Sequence, residues 1–342
     1  MVCSTQSLRE AFHYLDGCGF AETARIPLVA ARQWRLRWEA EAIQRFRGNL
    51  ANVHEVALPG FYLALESRKT RRLYRALTLG LPDSELAGQA ELQALYAGGR
   101  SHRPLWTVIS RFGRFIVRSH PDREGRDWVY FGDDTLFLMR RARELMQRLT
   151  APLKCLDLCC GGGGVGLALP EFEGELLGVD LNQTAVELAQ RVAEAQELEN
   201  YRYRCTDALQ GLCGEFDLIV GNPPTLSPEL TGREVFHATG ADDVLHELLE
   251  HVLESLTDRG TALLTFFSQV EEGRDKQWER LEKFLAGRRG FRCYVRREYP
   301  LGRGRRLRHS ALELHPRGED DALFQPLRHK GIQLPGVSWR KF

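Results

Sequence analysis

Leu156-Asp157-Leu158-Cys159-Cys160-Gly161-Gly162-Gly163-Gly164-Val165-Gly166-Leu167 is a short apolar run that carries one acid, breaks into glycines and then resumes an apolar pattern. That order predicts a strand, a tight turn and a helix. Glycine at such a turn lets the backbone approach a ligand closely, because no Cβ intervenes. About 20 residues further on, Asp180 ends the next apolar run, where a carboxylate can accept hydrogen bonds from ribose hydroxyls. The turn and the acid together suit a nucleotide-like cofactor, a dinucleotide included.

Outward from this stretch, short apolar runs alternate with helical stretches, the rhythm of a parallel sheet with crossover helices. Strands are predicted at Leu153–Leu158, Glu175–Asp180, Tyr201–Cys205, Phe216–Gly221, Thr261–Phe267, Phe291–Glu298 and Leu307–His315. The last two are joined by the basic loop Pro300–Arg306, too short for a crossover helix, so they should form an antiparallel hairpin. The expectation is an α/β fold: a Rossmann-like, seven-stranded, doubly wound sheet ending in that hairpin, over residues 151–315. Residues 1–100 carry helical spacing (Leu8, Phe12, Leu15; Leu73, Leu77) with breaks at Pro27, Pro59 and Pro82, and read as a smaller helical domain. Between them, residues 101–150 read as a strand-rich connector (runs at Trp106, Arg114 and Asp127) and a linking helix opened by Gly132-Asp133-Asp134-Thr135. The tail, 316–342, is punctuated by Pro and Gly and is assigned no structure.

Charge is distributed unevenly although the net value is +1. Residues 1–150 hold 23 Lys/Arg against 16 Asp/Glu, residues 151–285 hold 10 against 25, and residues 286–342 hold 14 against 5, so an acidic centre lies between basic flanks. The 8 cysteines show no paired C-x-x-C spacing, which points away from a disulfide framework or a zinc site; Cys155, Cys205 and Cys293 interrupt apolar runs and read as small buried hydrophobes. No apolar run reaches the roughly 18 residues of a membrane span, and Met1 to Phe20 lacks the core of a signal peptide. A cytoplasmic protein without membrane or metal partners is expected.

Three further features direct the cofactor reading. Asp157 precedes the glycines on the strand itself, Asp207 follows the third strand in Cys205-Thr206-Asp207-Ala208, and the fourth strand ends in Asn222-Pro223-Pro224. Together they resemble the class I S-adenosylmethionine (SAM) methyltransferases over residues 153–315. The resemblance implies that Gly161 and Gly163 pass beneath the methionine and ribose parts of SAM, that Asp180 holds the ribose, and that Asp207 with Ala208 contacts the adenine. It also places Asp157, Cys159, Leu181 and Asn222 along the cofactor. Cys159 is a departure, since the family often has Gly two residues after the acid.

Phe216-Asp217-Leu218-Ile219-Val220-Gly221-Asn222-Pro223-Pro224-Thr225 resembles the Asn-Pro-Pro-aromatic motif of amino-methyltransferases, which act on exocyclic amines of bases or on glutamine amides. Such nitrogens are poor nucleophiles because the lone pair is delocalised. The Asn222 side-chain oxygen and the Pro223 carbonyl can accept N–H bonds from the target and turn its lone pair toward the methyl group, so positioning supplies the rate. Asn222, Pro223, Pro224 and Thr225 are the implied catalytic set. Thr225 stands where the family has an aromatic ring that stacks on a planar target, and Phe131 and Phe236 are candidates to supply that face. Phe236-His237-Ala238-Thr239-Gly240-Ala241-Asp242-Asp243 resembles the segment after Asn-Pro-Pro in release-factor glutamine methyltransferases, its acids suited either to a helix start or to substrate contact.

Over its full length the chain is similar to bacterial methyltransferases with a helical N-terminal domain, a strand-rich connector and an Asn-Pro-Pro domain; Leu73–Pro82, Gly132–Thr135 and Asn222–Pro228 carry that likeness. It implies that Asp133 to Thr135 border the site. The leading expectation for the acceptor is an exocyclic amine of a nucleobase, in RNA more than DNA; the basic runs Arg68, Lys69, Arg71, Arg72 and Arg75 and then Arg303, Arg305, Arg306 and Arg308 support a nucleic acid as phosphate-binding patches, the competing reading of them being solvated or ion-paired faces. The alternatives are a glutamine or asparagine amide, or another amine, on a protein or peptide, and a SAM-binding scaffold without catalysis.

Overall fold

The computed structural model describes residues 3–20, 68–78, 80–96, 102–120, 127–150, 152–208, 214–225, 241–302 and 304–316. Its strands are β1 Trp106–Arg111, β2 Arg114–Ser119, β3 Leu153–Leu158, β4 Gly174–Asp180, β5 Tyr201–Cys205, β6 Phe216–Gly221, β7 Leu256–Glu271, β8 Arg274–Asp275, β9 Gly290–Gly302 and β10 Arg305–His315. The described helices are α1 Thr5–Gly17, α2 Arg68–Leu73 (continued by a π-helical turn, Tyr74–Thr78), α3 Ser84–Ala87, α4 Gln93–Tyr96, α5 Asp133–Met146, α6 Gly164–Leu167, α7 Gln183–Ala195, α8 Ala241–Ser255 and α9 Lys276–Leu285.

The central sheet runs β5-β4-β3-β6-β7-β10-β9. Its first five strands pair in parallel, and β10 then pairs antiparallel with both β7 and β9. All seven expected strands are present in this Rossmann-like order, and β9 and β10 extend toward each other past the bounds expected for the hairpin. An eighth, two-residue strand, β8, folds back on Val270–Glu271 through a turn at Glu272 and Gly273, whose φ values are positive.

Side chains alternate between the two faces of the sheet, as a period of two requires. Cys155, Leu218, Leu263 and Ala311 face a core shared with α1, α5, α6 and α7, whereas Leu156, Ile219, Leu264 and Leu312 face α8 and α9. Each fully buried leucine contributes on the order of 2 kcal/mol. The described N-terminal helices share the first of these cores: Phe12 stacks on Phe115 at 4.9 Å, and Thr5 donates to Glu194 on α7 at 2.8 Å.

In the connector, β1 and β2 form the expected antiparallel pair, but the run Asp127–Phe131 makes no strand. It meets β2 at Val129, through a Ser119 N–H bond to the Val129 carbonyl and a Val129 N–H bond to Ser119 Oγ. The segment then crosses over the glycine turn and enters α5. A buried bidentate pair, Arg141 to Glu313 at 2.5 and 3.1 Å, ties α5 to β10. Cys155 and Cys293 are buried as expected; Cys205 is exposed, because β5 is the edge strand of the sheet.

Candidate functional site

The carboxyl ends of β5, β4, β3 and β6 lie side by side, and each delivers one of the residues singled out above. At the end of β3 the chain reverses through Cys159, Gly161 and Gly163, with φ values of 52°, 52° and 75°. Gly163 also has no room for a side chain, since a Cβ there would lie 2.8 Å from Tyr203 Oη. Cys159 adopts the same left-handed region without that freedom, a conformation disfavoured by about 1–2 kcal/mol for an L-residue.

Two carboxylates shape the turn. Asp157, 1% exposed, accepts the Gly166 N–H at 2.8 Å and so ties the strand to the start of α6. Burial pushes its pKa up to about 8, against that bond, with a smaller push from Asp180. Asp180 accepts Gly161 N–H and Asn182 N–H, both at 2.8 Å, and its pKa is also raised by burial. Burial, followed by Asp180, Asp157 and Asp207, keeps the Cys159 thiol neutral, so all three acids act on one point. Asp207 is reached through Thr206, whose N–H donates to the Asp180 carbonyl at 3.0 Å; Ala208 is buried beside it, and Leu181 is 53% exposed.

This arrangement suits a cationic donor with a ribose. Among the described residues, neither Asp157 nor Asp180 is bonded to a Lys or Arg, so two substantially buried carboxylates lack a positive partner that a sulfonium and an ammonium would supply. Asp180 keeps lone pairs for hydroxyl donors.

Asn222 follows Gly221, which is paired with Leu158, so it emerges next to the glycine turn. Its side chain is held from two sides. Nδ2 donates to Asp134 Oδ2 at 3.0 Å, and Oδ1 accepts from Thr265 Oγ1 on β7 at 2.5 Å. Asp134 in turn accepts Tyr130 Oη–H at 2.9 Å and Thr135 N–H at 2.8 Å through Oδ1. Pro223 and Thr225 are buried. The Thr225 hydroxyl accepts Phe267 N–H at 2.8 Å, at a point on β7 beyond its pairing with β6.

The sequence-based candidates for an aromatic face fall elsewhere. Phe131 is 2% exposed and packs against Gly164 and Arg118, and Phe236 and His237 lie outside the described residues. Half-buried Tyr130, which sequence reading passes over, borders the Asn-Pro-Pro corner instead, as do Asp134 and Thr265. A signal for Thr265 exists: it is the polar residue in the apolar run Ala262-Leu263-Leu264-Thr265-Phe266. The basic patches are partly neutralised. Arg72 bonds Asp83 and Glu85, Arg306 bonds Glu298, and Arg308 bonds Asp275 and Glu298. Among the described residues there is no cluster of metal-ligating side chains, and no helix is long and apolar enough to cross a membrane.

Comparison with known proteins matches residues 140–276 to the family described as Methyltransferase small domain. The ribosomal protein uL3 glutamine methyltransferase of Neisseria meningitidis is 32% identical over 123 residues, 32% of this chain and 41% of that protein. The release factor glutamine methyltransferase of Haemophilus influenzae is 28% identical over 179 residues, 44% of this chain and 61% of that protein. The 23S rRNA (uracil(1939)-C(5))-methyltransferase RlmD of Marinomonas posidonica is 29% identical over 98 residues, 29% of this chain and 22% of that protein. The chain thus spans less than two thirds of the length of these relatives. The family match, the strand order and the residues gathered at the strand ends agree: residues 140–276 lie in a domain of the class I SAM-dependent methyltransferases, whose cofactor is SAM.

Proposed function

We propose that the chain transfers a methyl group from SAM to the nitrogen of a planar NH2 group, and that this group is a glutamine or asparagine carboxamide of a protein. The observation that carries the reading is the Asn222 side chain, fixed by Asp134 and Thr265 at the end of β6 beside the glycine turn. SAM, when bound, supplies an electrophilic methyl on a sulfonium. Asp180 holds the ribose, with Asp207 and Ala208 at the adenine. The Asn222 oxygen, which has a second lone pair, and the Pro223 carbonyl accept the two N–H bonds of the target and aim its nitrogen. No base is required before attack: the proton leaves after the nitrogen has become tetrahedral and acidic. Preorganised acceptors of this kind are worth about 100-fold or more in rate.

Two observations favour a carboxamide over a base. Position 225 carries a hydroxyl engaged with Phe267 rather than a stacking ring, and several of the arginines suited to phosphate are paired within the chain. The relatives named as glutamine methyltransferases support the same choice. Methylation of a nucleobase amine is the second reading, favoured by the half-buried Tyr130 ring, whose hydroxyl donates to the carboxylate that holds Asn222. Incubating the chain with methyl-labelled SAM and fractionated bacterial extract separates them. Label in protein, released by protease and resistant to nuclease, is expected; label confined to RNA would overturn the carboxamide reading, and no transfer to any fraction would leave a SAM-binding scaffold.

A further inference from the structure

An asparagine amide has two ends of nearly equal shape and opposite hydrogen-bonding character, so its chemistry at a site depends on which end its neighbours allow to face the target. Thr265 cannot decide this at Asn222, because a hydroxyl donates or accepts equally well. Asp134 can. It is 4% exposed, and donors converge on its carboxylate from Tyr130 Oη, Thr135 N and Asn222 Nδ2. Gly132 N–H donates to Thr135 Oγ1 at 3.3 Å, so the first turn of α5 is itself fixed, and the Arg141–Glu313 pair anchors the helix behind it.

We infer that Asp134 is a positioning residue that sets the orientation of the Asn222 amide, so that the oxygen and not the NH2 is presented to the acceptor nitrogen. The inference deepens the function proposed above and rests on it. A reversed amide would point N–H groups at a target that itself offers only N–H groups, which is repulsive as well as unproductive. Asp134→Asn should bring about that reversal with little change of shape. Thr135 N–H and Tyr130 Oη–H would hold the introduced amide by its oxygen, leaving its NH2 toward Asn222; Asn222 would then turn its own oxygen to that NH2 and its own NH2 to Thr265.

The test needs no acceptor substrate. Sinefungin is a SAM analogue with an amine-bearing carbon in place of the methylated sulfur, so it carries a positive charge where SAM does but adds N–H donors where SAM has a methyl. Calorimetric titration of the full chain with each ligand gives the ratio of the two affinities, in which the loss of the Asp134 charge largely cancels. In Asp134→Asn the preference for sinefungin over SAM should fall about tenfold or more, the scale of one charge-assisted hydrogen bond exchanged for a repulsive contact. The exchanged pair Asp134→Asn with Asn222→Asp should restore it, because a carboxylate at position 222 presents an acceptor whichever way it turns while the amide at position 134 donates to it. Equal loss for both ligands, or no loss for either, would overturn the inference while leaving the function proposed above standing. Failure of the unaltered chain to bind either ligand would remove the inference together with the function it rests on. Should the single variant misfold, the exchanged pair decides: an unchanged ratio upholds the assignment and a collapsed one ends it.

Discussion

The proposed cofactor end and the proposed acceptor end of the site are assembled differently. At the cofactor end, one strand-turn-helix-strand unit does the work: Asp157 bonds Gly166, Asp180 bonds Gly161 and Asn182, and the turn takes its shape from backbone angles. At the acceptor end, Asn222 is gripped by Asp134, 88 residues upstream, and Thr265, 43 residues downstream. A local unit depends on its own glycines and acids, whereas a grip between distant segments depends on the packing that brings them together. The two ends should therefore fail separately.

The largest effect is expected at the acceptor end. Asn222→Ala should lower turnover by about 100-fold or more, the scale of one transition-state hydrogen-bonding group, while SAM affinity stays within about twofold. Equal losses in turnover and in SAM affinity would erase the distinction between the two ends. Gly163→Val attacks the other side, because it places a branched side chain at φ 75° and against Tyr203 Oη. Strain of about 1–3 kcal/mol in the turn should cost SAM affinity about tenfold or more; calorimetry with SAM alone is sufficient to see it.

A smaller effect concerns pH. The folded-state pKa of Asp157 is raised by burial to about 8, above the ordinary 3.8, so the native state holds this proton more tightly than the unfolded chain does. The contribution is complete below the ordinary value and is lost as pH rises through about 8. Melting temperature without SAM should therefore decline between about pH 6 and about pH 8.5, and Asp157→Asn, which can still accept from Gly166, should flatten the decline. A cation placed beside the carboxylate should do the same, so saturating SAM is a second way to check the assignment. The smallest effect is expected for Cys159→Gly. Relief of about 1–2 kcal/mol of left-handed strain is offset by about 0.5–1 kcal/mol of extra freedom in the unfolded chain, so thermal melts should rise by about 1–2 °C.

The same contrast explains what can be read from the sequence. Every strand of the central sheet except the two-residue β8 is legible, because apolar runs with period two and glycine turns are local signals. Legible for the same reason are the acids at the strand ends and the Asn-Pro-Pro corner. The run Asp127–Phe131 has the composition of a strand but meets β2 at Val129 without forming one; its tertiary use as a cover over the glycine turn overrides its propensity. Arg72, Arg306 and Arg308 read as an open basic surface because sequence spacing shows charges but not the acids that fold against them. Asp134 is visible as part of a helix start and as a neighbour of the site, yet its hold on Asn222 is a contact across 88 positions and has no local trace.

The family match begins at residue 140, inside α5 and six positions beyond Asp134, which ties that helix's first turn to Asn222. On the function proposed above, a fragment trimmed to the matched segment would keep the glycine turn that underlies the methyl donor and lose the Asp134 half of the vice that holds Asn222.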